Sequence, residues 1–510
     1  MAGLNNEPGQ IKIGLIGNMK SPNFHYRVLI FFLLLPLFFI NVKDSHDWGD
    51  DFAQYLIQAK NIIEGKPQTA NGLIYHPDDK KYAIEAYPVG MPLIMTPVYF
   101  FYELNIFPYN LLITCFLFFS GILFFEFLRR RISLFTALLL TLIYCYNFHI
   151  LDLKKNILSE IPFTFMLLLF LNLIDSKIIK GKYSWAITGI ILCITVSIRL
   201  AGIAVLLGYL AYEISFILKR KNKSEKISSI RSLTISIITA SILYFFLNEI
   251  IFKVHSIKLA GFYSETLMSL GLQVKTNLSA YYHSLNYLFP FFGTYLPSFW
   301  ILIPIAGWIL HFYKIHSLSD FILGAYVLLL LLYPYSHSTI RFTLPVFPLL
   351  LYYMFVFLRS IFHPVRLKRP FQIALNGIFL ILFVSEISPA RGIINQQKSI
   401  EDGPQQANAK ELFSWLKNTD SDIVIVFCKA RAMSLYSEHE VLYPSQQQNE
   451  QETFIQFHRN KKLFIVVSKS EPGNEVYDQK MIDYISHFSS YYEKKWENDG
   501  FVVYNQLPVQ

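Results

Sequence analysis

The sequence predicts a polytopic α-helical membrane protein of about eleven spans, ending in a small α/β soluble domain. Three observations predict it. Apolar residues make up 53% of the 510-residue chain and charged residues only 16%, against about a quarter charged in ordinary soluble domains. The apolar residues gather in blocks near the roughly 17–25 residues that one helical crossing needs. Basic residues fall between those blocks with a consistent sidedness.

The blocks run over 27–42, 108–128, 133–150, 160–174, 184–198, 200–218, 232–252, 296–313, 318–334, 342–358 and 371–386. Lipid offers their backbone no hydrogen-bond partner, so each is expected as helix. The 46 Phe and 32 Tyr residues suit lipid-facing helices with aromatic belts at both interfaces. Residues 1–26 are polar and weakly basic and read as a cytoplasmic N-terminal tail. No small-residue cleavage site follows the first block, which reads as a retained span.

One further apolar stretch, 88–104, carries Pro88, Gly90, Pro92 and Pro97, which interrupt regular helix. Charge decides its status. If it does not cross, Arg129–Arg131, Lys177/Lys180/Lys182, the basic run 219–231, the Lys314 turn and Arg359/Arg366/Lys368/Arg369 all lie on the side of the N-terminus. That is the positive-inside pattern. If it crosses, every later loop changes side and the bias reverses. The expectation is therefore a membrane part over 27–387, with 88–104 juxtamembrane or re-entrant. The first outer loop (43–87) and the C-terminal region (388–510) then share the outer face.

The C-terminal region has ordinary soluble composition. Residues 407–417, 453–459 and 479–488 fit helices. Asp422–Cys428, Leu463–Ser468 and 500–504 fit strands. No nucleophile or metal motif stands out there, and capping the membrane part is the favoured role. The net charge of +9 reads as a topology signal, which argues against nucleic acid. Of four cysteines, Cys115, Cys145 and Cys193 lie in apolar blocks and Cys428 in the tail. They give no disulfide framework and no zinc spacing.

The polar residues that need explaining all fall on the outer face. Asp44, Asp47, Asp50 and Asp51 crowd the exit of the first span. An amphipathic helix follows, with Phe52, Tyr55, Leu56, Ala59, Ile62 and Ile63 at helical spacing, expected to lie on the membrane surface. Helix capping explains one acid there. Packed carboxylates raise one another's pKa, as a general base or cation site requires. Glu160 opens the fourth span after Ser159 and before Pro162, an ordinary capping context. It is also an ionisable group at membrane depth, where function is the default. Arg199 and Arg341, with His337 just before Arg341, bring positive charge to the same face. Each arginine is either a snorkelling side chain or a fork for phosphate oxygens.

At these residues the chain resembles the polytopic glycosyltransferases of the GT-C fold. That group includes the protein O-mannosyltransferases of glycosyltransferase family 39 and the aminoarabinose transferase acting on lipid A. The resemblance lies in Asp50-Asp51 with Tyr55 four residues on, in Tyr87-Pro88-Val89-Gly90-Met91-Pro92, in Ser159-Glu160-Ile161-Pro162, and in Arg341-Phe342 with Pro345 and Pro348. It covers most of 27–360. The family often has Pro after the arginine of the fifth-to-sixth-span turn, where this chain has Leu200, which leaves the role of Arg199 open.

The resemblance implies a transferase that moves a sugar from a polyprenyl-phosphate donor to an acceptor hydroxyl on a lipid, glycan or protein, with inversion. Asp50 would be the base. Glu160 and Asp51 would orient the acceptor or the base, and Tyr55 belongs to the binding site. Arg341, and less directly Arg199, would stabilise the departing phosphate. Some members need a divalent metal, for which Glu85 and His337 are candidates. The expected setting is a bacterial inner membrane with the C-terminal domain periplasmic. The rival readings are a lipid-linked glycan flippase, a polymerase or ligase of such glycans, and a non-catalytic scaffold. No internal repeat or mid-span charge of the transporter kind is evident.

Overall fold

The computed structural model describes residues 24–75, 85–175, 183–254, 267–288, 299–333, 339–362, 368–394, 400, 402–442, 461–469, 475–487 and 489–507. The chain enters through α1 (Phe24–Leu34) and a 3-10 turn at Leu35–Phe38, where Pro36 ends regular helix. Next come α2 (Asp50–Glu64), α3 (Gly90–Tyr102), α4 (Ile106–Arg129), α5 (Leu134–Tyr146) and α6 (Phe148–Lys154). The membrane part continues with α7 (Glu160–Asp175), α8 (Ser184–Ile198), α9 (Gly202–Lys219), α10 (Lys223–Phe245) and α11 (Leu267–Tyr287). It ends with α12 (Phe299–Lys314), α13 (Leu318–Leu332), α14 (Thr339–Thr343), α15 (Phe347–Phe362) and α16 (Lys368–Ile394).

Every apolar block expected from the sequence coincides with helix, but the blocks differ in length and continuity. Among the described residues, Ile106–Arg129, Gly202–Lys219, Lys223–Ile251 and Ile340–Ile361 are long and apolar enough to cross a membrane. The pair α5 and α6 makes a fifth, bent by 50°. The bend falls at Asn147, whose side chain caps α6 by accepting from the His149 and Ile150 amides. Five shorter apolar helices of 10–17 residues complete the set: His25–Phe38, Ser184–Ile198, Ile301–Lys314, Leu318–Leu332 and Gln372–Glu386. The block at 342–358 is broken near its start. Leu344–Val346 is a 3-10 turn around Pro345 that joins α14, which carries Arg341, to α15.

The 88–104 stretch forms α3, whose 13 residues span about 20 Å at 1.5 Å each, short of a hydrocarbon core of about 30 Å. Both of its ends meet the C-terminal domain. Tyr87 bonds Arg431 before it, and Leu104–Ile106 after it share a cavity with Pro404, Gln405 and Phe413. Gly90 permits its entry angle, because a Cβ there would come within 2.6 Å of the Ser197 carbonyl.

The C-terminal domain holds α17 (Ala407–Lys417), α18 (Ala430–Ser437) and α19 (Glu475–His487). They flank a six-stranded sheet in the order β1-β3-β2-β4-β6-β5. Its strands are β1 (Leu73–Ile74), β2 (Val424–Val426), β3 (Glu440–Leu442), β4 (Leu463–Ser468), β5 (Tyr492–Glu497) and β6 (Phe501–Gln506). The first four lie parallel, with Leu73 opposite Val441 and Ile425 opposite Phe464; β6 and β5 run antiparallel. The helix expected over 453–459 lies outside the described residues.

β1 comes from the first outer loop. That loop and the C-terminal domain therefore lie on the same side of the membrane part. Trp48 of the loop deepens the joint. It is 3% exposed, packs its indole edge-on against Phe413, Phe427 and Phe501, and donates to Asp402 Oδ1 at 2.8 Å. Gly403 lets the two backbones touch, since a Cβ there would meet the His46 carbonyl at 2.0 Å.

Candidate active site

The site begins where the first outer loop turns into α2. Gly49 is the cap residue, and the acids Asp50 and Asp51 open the helix, where its dipole favours negative charge. Consecutive residues on a helix point about 100° apart, and so the two acids have different surroundings. Asp51 is tied on both oxygens. Arg341 Nη2 donates to Oδ2 at 2.6 Å and the Tyr87 hydroxyl to Oδ1 at 2.5 Å, with Arg431 Nη1 at 3.9 Å. Burial pushes the Asp51 carboxyl up, but Arg341, Tyr87 and Arg431 outweigh it and hold the group below the usual range. Asp50 differs: its Oδ1 is buried with no hydrogen-bond partner. Burial raises its pKa, and Arg431 and Lys429 pull it back only in part.

The expectation of four interacting acids is corrected here. Asp44 is exposed and lines the cavity beside Pro404 and Lys410. Asp47 accepts from the Gly49 amide and from His46 Nδ1, both at 2.9 Å. His46 Nε2 accepts from the Ile157 amide at 3.2 Å, which leaves the ring proton on Nδ1 for Asp47. Despite burial, these contacts hold the Asp47 carboxyl down at about 2. Asp47 alone shapes the loop, Asp44 lies at the cavity, and Asp50 and Asp51 open α2.

The amphipathic helix was expected on the membrane surface, yet α2 is enclosed. Phe52, Ala53, Gln54, Tyr55, Leu56, Ile57, Gln58, Ala59 and Asn61 are all buried. α3 packs on one side of it and α18 on the other. Both faces are covered because the C-terminal domain sits over the face that water would otherwise take.

Glu160 at the start of α7 is 1% exposed. Its Oε1 is bonded by Arg341 Nε and lies 3.1 Å from Arg199 Nη1. Its Oε2 is buried without a partner. The Ser159 hydroxyl accepts from Tyr55 at 3.1 Å and from Arg199 Nη1 at 2.9 Å, work beyond a helix cap. Arg199 ends α8 in an extended conformation and lies over the Phe342 ring at 5.3 Å. Neither arginine snorkels to water. Arg341 bridges Asp51 to Glu160, and Arg199 meets Glu160 despite the Leu200 departure. Asp51, Tyr55, Glu160, Arg199 and Arg341 thus converge on one partly buried, charge-alternating cluster, with Asp50 beside Asp51 at the start of α2.

Other candidates stand apart. Glu85 contributes its backbone carbonyl, which accepts from Gln54 and Asn71, and His337 lies outside the described residues. Among the described residues no group of three His, Cys, Asp or Glu side chains could hold a metal. Guanidinium groups sit beside Asp51 Oδ2 and Glu160 Oε1, and no chemical step is assigned to a metal.

Sequence reasoning missed Arg431 and the hydroxyl of Tyr87. Arg431 Nη1 donates to that hydroxyl at 2.8 Å, and its guanidinium lies 5.2 Å from the Tyr87 ring centre. A signal was present. Lys429 and Arg431 follow the apolar run of β2, and open α/β sheets bind ligands beyond the carboxyl ends of their strands.

No protein-family model matches the sequence, and no curated protein matches it. Solved structures do. The apo ArnT of Cupriavidus metallidurans superposes with a TM-score of 0.57 at 12% identity, over 94% of this chain and 98% of that one. The same enzyme bound to undecaprenyl phosphate gives 0.54 at 12%, over 95% and 98%. The apo oligosaccharyltransferase of Archaeoglobus fulgidus gives 0.55 at 12%, over 87% and 69%. The chain has the GT-C fold. In this GT-C membrane protein the cluster around Glu160 and Arg341 joins the helical part to the loop after the first helix and the C-terminal domain.

Proposed function

We propose that the protein is a membrane glycosyltransferase that moves a sugar from a polyprenyl-phosphate donor to an acceptor hydroxyl at the outer, periplasmic face of a bacterial inner membrane. The observation that carries this reading is the pair of buried carboxylate oxygens with no partner, Asp50 Oδ1 and Glu160 Oε2, beside Arg341 and Arg199. Buried polar atoms are nearly always satisfied, so these two call for a ligand with hydroxyl groups. The binding of undecaprenyl phosphate by the ArnT of the same fold supports a lipid phosphate as the donor's carrier.

The reaction follows from the charges. Asp50 takes the proton of the acceptor hydroxyl, and the freed oxygen attacks the anomeric carbon from the face opposite the phosphate. The bond from that carbon to the phosphate oxygen breaks, and polyprenyl phosphate leaves with the electron pair. Configuration inverts. A guanidinium has five N–H donors, so Arg341 and Arg199 can hold their carboxylates and still offer donors to the phosphate. Glu160 Oε2 accepts from a second hydroxyl and fixes the sugar or acceptor.

The test is to incubate purified protein with polyprenyl-phosphate sugars and measure release of polyprenyl phosphate. Asp50→Asn should lower kcat by about 10²–10⁴-fold, the usual contribution of a general base. It should also leave the protein at least as stable. The folded-state pKa of Asp50 is raised, so its ionised form costs stability once pH exceeds the unfolded value, and Asn removes that cost. Near-normal turnover in Asp50→Asn overturns the mechanism. Transport of the lipid-linked sugar without release would favour a flippase.

A further inference from the structure

We infer that Arg431 of the C-terminal domain is a positioning residue for Arg341, acting on it through Tyr87 and Asp51. The last domain thereby helps fix the guanidinium assigned above to the departing phosphate, a role that rests on the transferase reading.

Arg431 lies in the first turn of α18, the helix that follows β2, and α18 packs along α2. Its side chain is 6% exposed, and a buried guanidinium needs anionic or hydrogen-bonding partners. It finds them across the domain joint. Nη1 donates to the Tyr87 hydroxyl at 2.8 Å and stands 3.9 Å from Asp51 Oδ1. The Tyr87 hydroxyl is 2.5 Å from that same Oδ1. These bonds can run in only one sense. A guanidinium has no acceptor and an ionised carboxylate has no donor. The phenol oxygen therefore accepts from Arg431, and its single proton goes to Asp51.

With Oδ1 held from the side of the C-terminal domain, Asp51 presents Oδ2 to Arg341 Nη2 at 2.6 Å. Arg341 Nε turns to Glu160 Oε1, which Arg199 Nη1 approaches to 3.1 Å. Donors and acceptors alternate without a break from Arg431 to Arg199. Arg341 needs such support. α14 is five residues long and runs into the 3-10 turn at Leu344–Val346, and a helix that short has almost no stability of its own. Tyr326 holds its backbone at the Phe342 carbonyl, at 2.8 Å. The guanidinium is held by two carboxylates, of which Glu160 belongs to the helical part and Asp51 is tied to the C-terminal domain. The hydroxyl relay and the direct ion pair from Arg431 both pass through Asp51. A misplacement of about 1 Å in such a site can cost about 10²-fold in rate.

Phenylglyoxal, an arginine-selective reagent, reads the hold on Arg341, whose side chain is 26% exposed. Peptide mass spectrometry gives its rate of modification. In Arg431→Gln that rate should rise about twofold or more, the low end of coupling within one network. Arg431→Lys keeps a charged donor and should return most of the rate to the wild-type value. Tyr87→Phe should raise it as Arg431→Gln does. In Asp51→Asn, Arg341 is already released, and adding Arg431→Gln should raise the rate no further. A purely structural role would add its effect in either background, because independent sites add. With polyprenyl-phosphate sugar, kcat of Arg431→Gln should fall about 10²-fold while KM moves less, since the phosphate gains its charge in the transition state. An Arg431→Gln protein with a protease-resistant C-terminal domain and a wild-type Arg341 rate overturns the inference. So does an increase of equal size in the Asp51→Asn background. If Arg431→Gln loses its protease resistance, Tyr87→Phe decides, and an unchanged Arg341 rate there overturns the relay. The labelling needs no turnover. A wild-type protein that releases no polyprenyl phosphate would defeat the transferase reading alone, and the Arg341 rates would still decide the positioning.

Discussion

At the scale of residues, two neighbouring acids show how local contact sets chemistry. Asp50 and Asp51 are equivalent as letters, and sequence reasoning could name both but not divide the work between them. The division depends on Arg341 and Arg431, distant in sequence by 290 residues or more. It predicts opposite titration behaviour. The folded-state pKa of Asp51 is lowered. Its stabilising contribution is complete above an unfolded value of about 3.9 and is lost as pH falls through the lower folded value. Asp51→Asn should therefore flatten the loss of thermal stability between about pH 4 and pH 2. It should also lower stability at neutral pH, because Arg341 and Arg431 lose a buried partner. Unfolding scans across that pH range check this. An unchanged acid response would show that Asp51 forms no such pair in solution.

Among the elements, the readable ones were those whose pattern is local. Leu463–Ser468 is a run of buried apolar residues and is a strand over the whole expected range; Ala407–Lys417 is the expected amphipathic helix. β1 is two residues long, β3 three, and β5 reads Tyr-Glu-Lys-Lys-Trp-Glu with mostly exposed side chains. None of these has an apolar period to detect, and each exists because a neighbouring strand pairs with it. The enclosure of α2 was hidden for the same reason, since its second covering face comes from elsewhere in the chain. Trp48 tests the strength of that joint. Trp48→Ala empties a pocket between Phe413, Phe427 and Phe501 and should cost about 3–5 kcal/mol. Limited proteolysis should then release the C-terminal domain faster, with a matching fall in transferase activity. Unaltered protease resistance would mean that Trp48 does not hold the joint.

At the scale of the whole molecule, the fold class and the grouping of Asp50, Glu160, Arg199 and Arg341 were legible because charge sidedness constrains a membrane chain so strongly. One choice, the status of 88–104, decided whether these residues could meet. The structure gives that segment a single short helix with both ends beside the C-terminal domain. Single cysteines placed at Asp44, Lys66 and Lys417 should all react with a membrane-impermeant thiol reagent from the same side, and one at Lys221 only from the other. Labelling of Lys417 together with Lys221 would refute the proposed topology. What the sequence could not reveal at this scale was a side-chain cluster divided between the first loop and the last domain.

The pairing of Leu73 with Val441 also carries a consequence for biosynthesis. The two strands leave the ribosome 368 residues apart, a delay of roughly 20–70 s at common elongation rates. Through that interval the nascent first loop has no edge to pair with, and Asp51 waits first for Arg341 and, for nearly all of it, for Arg431. The site assembles only when translation is nearly finished. A chain truncated before Arg431 would hold the apolar helices but lack both Arg431 and the strand that pairs with the first loop.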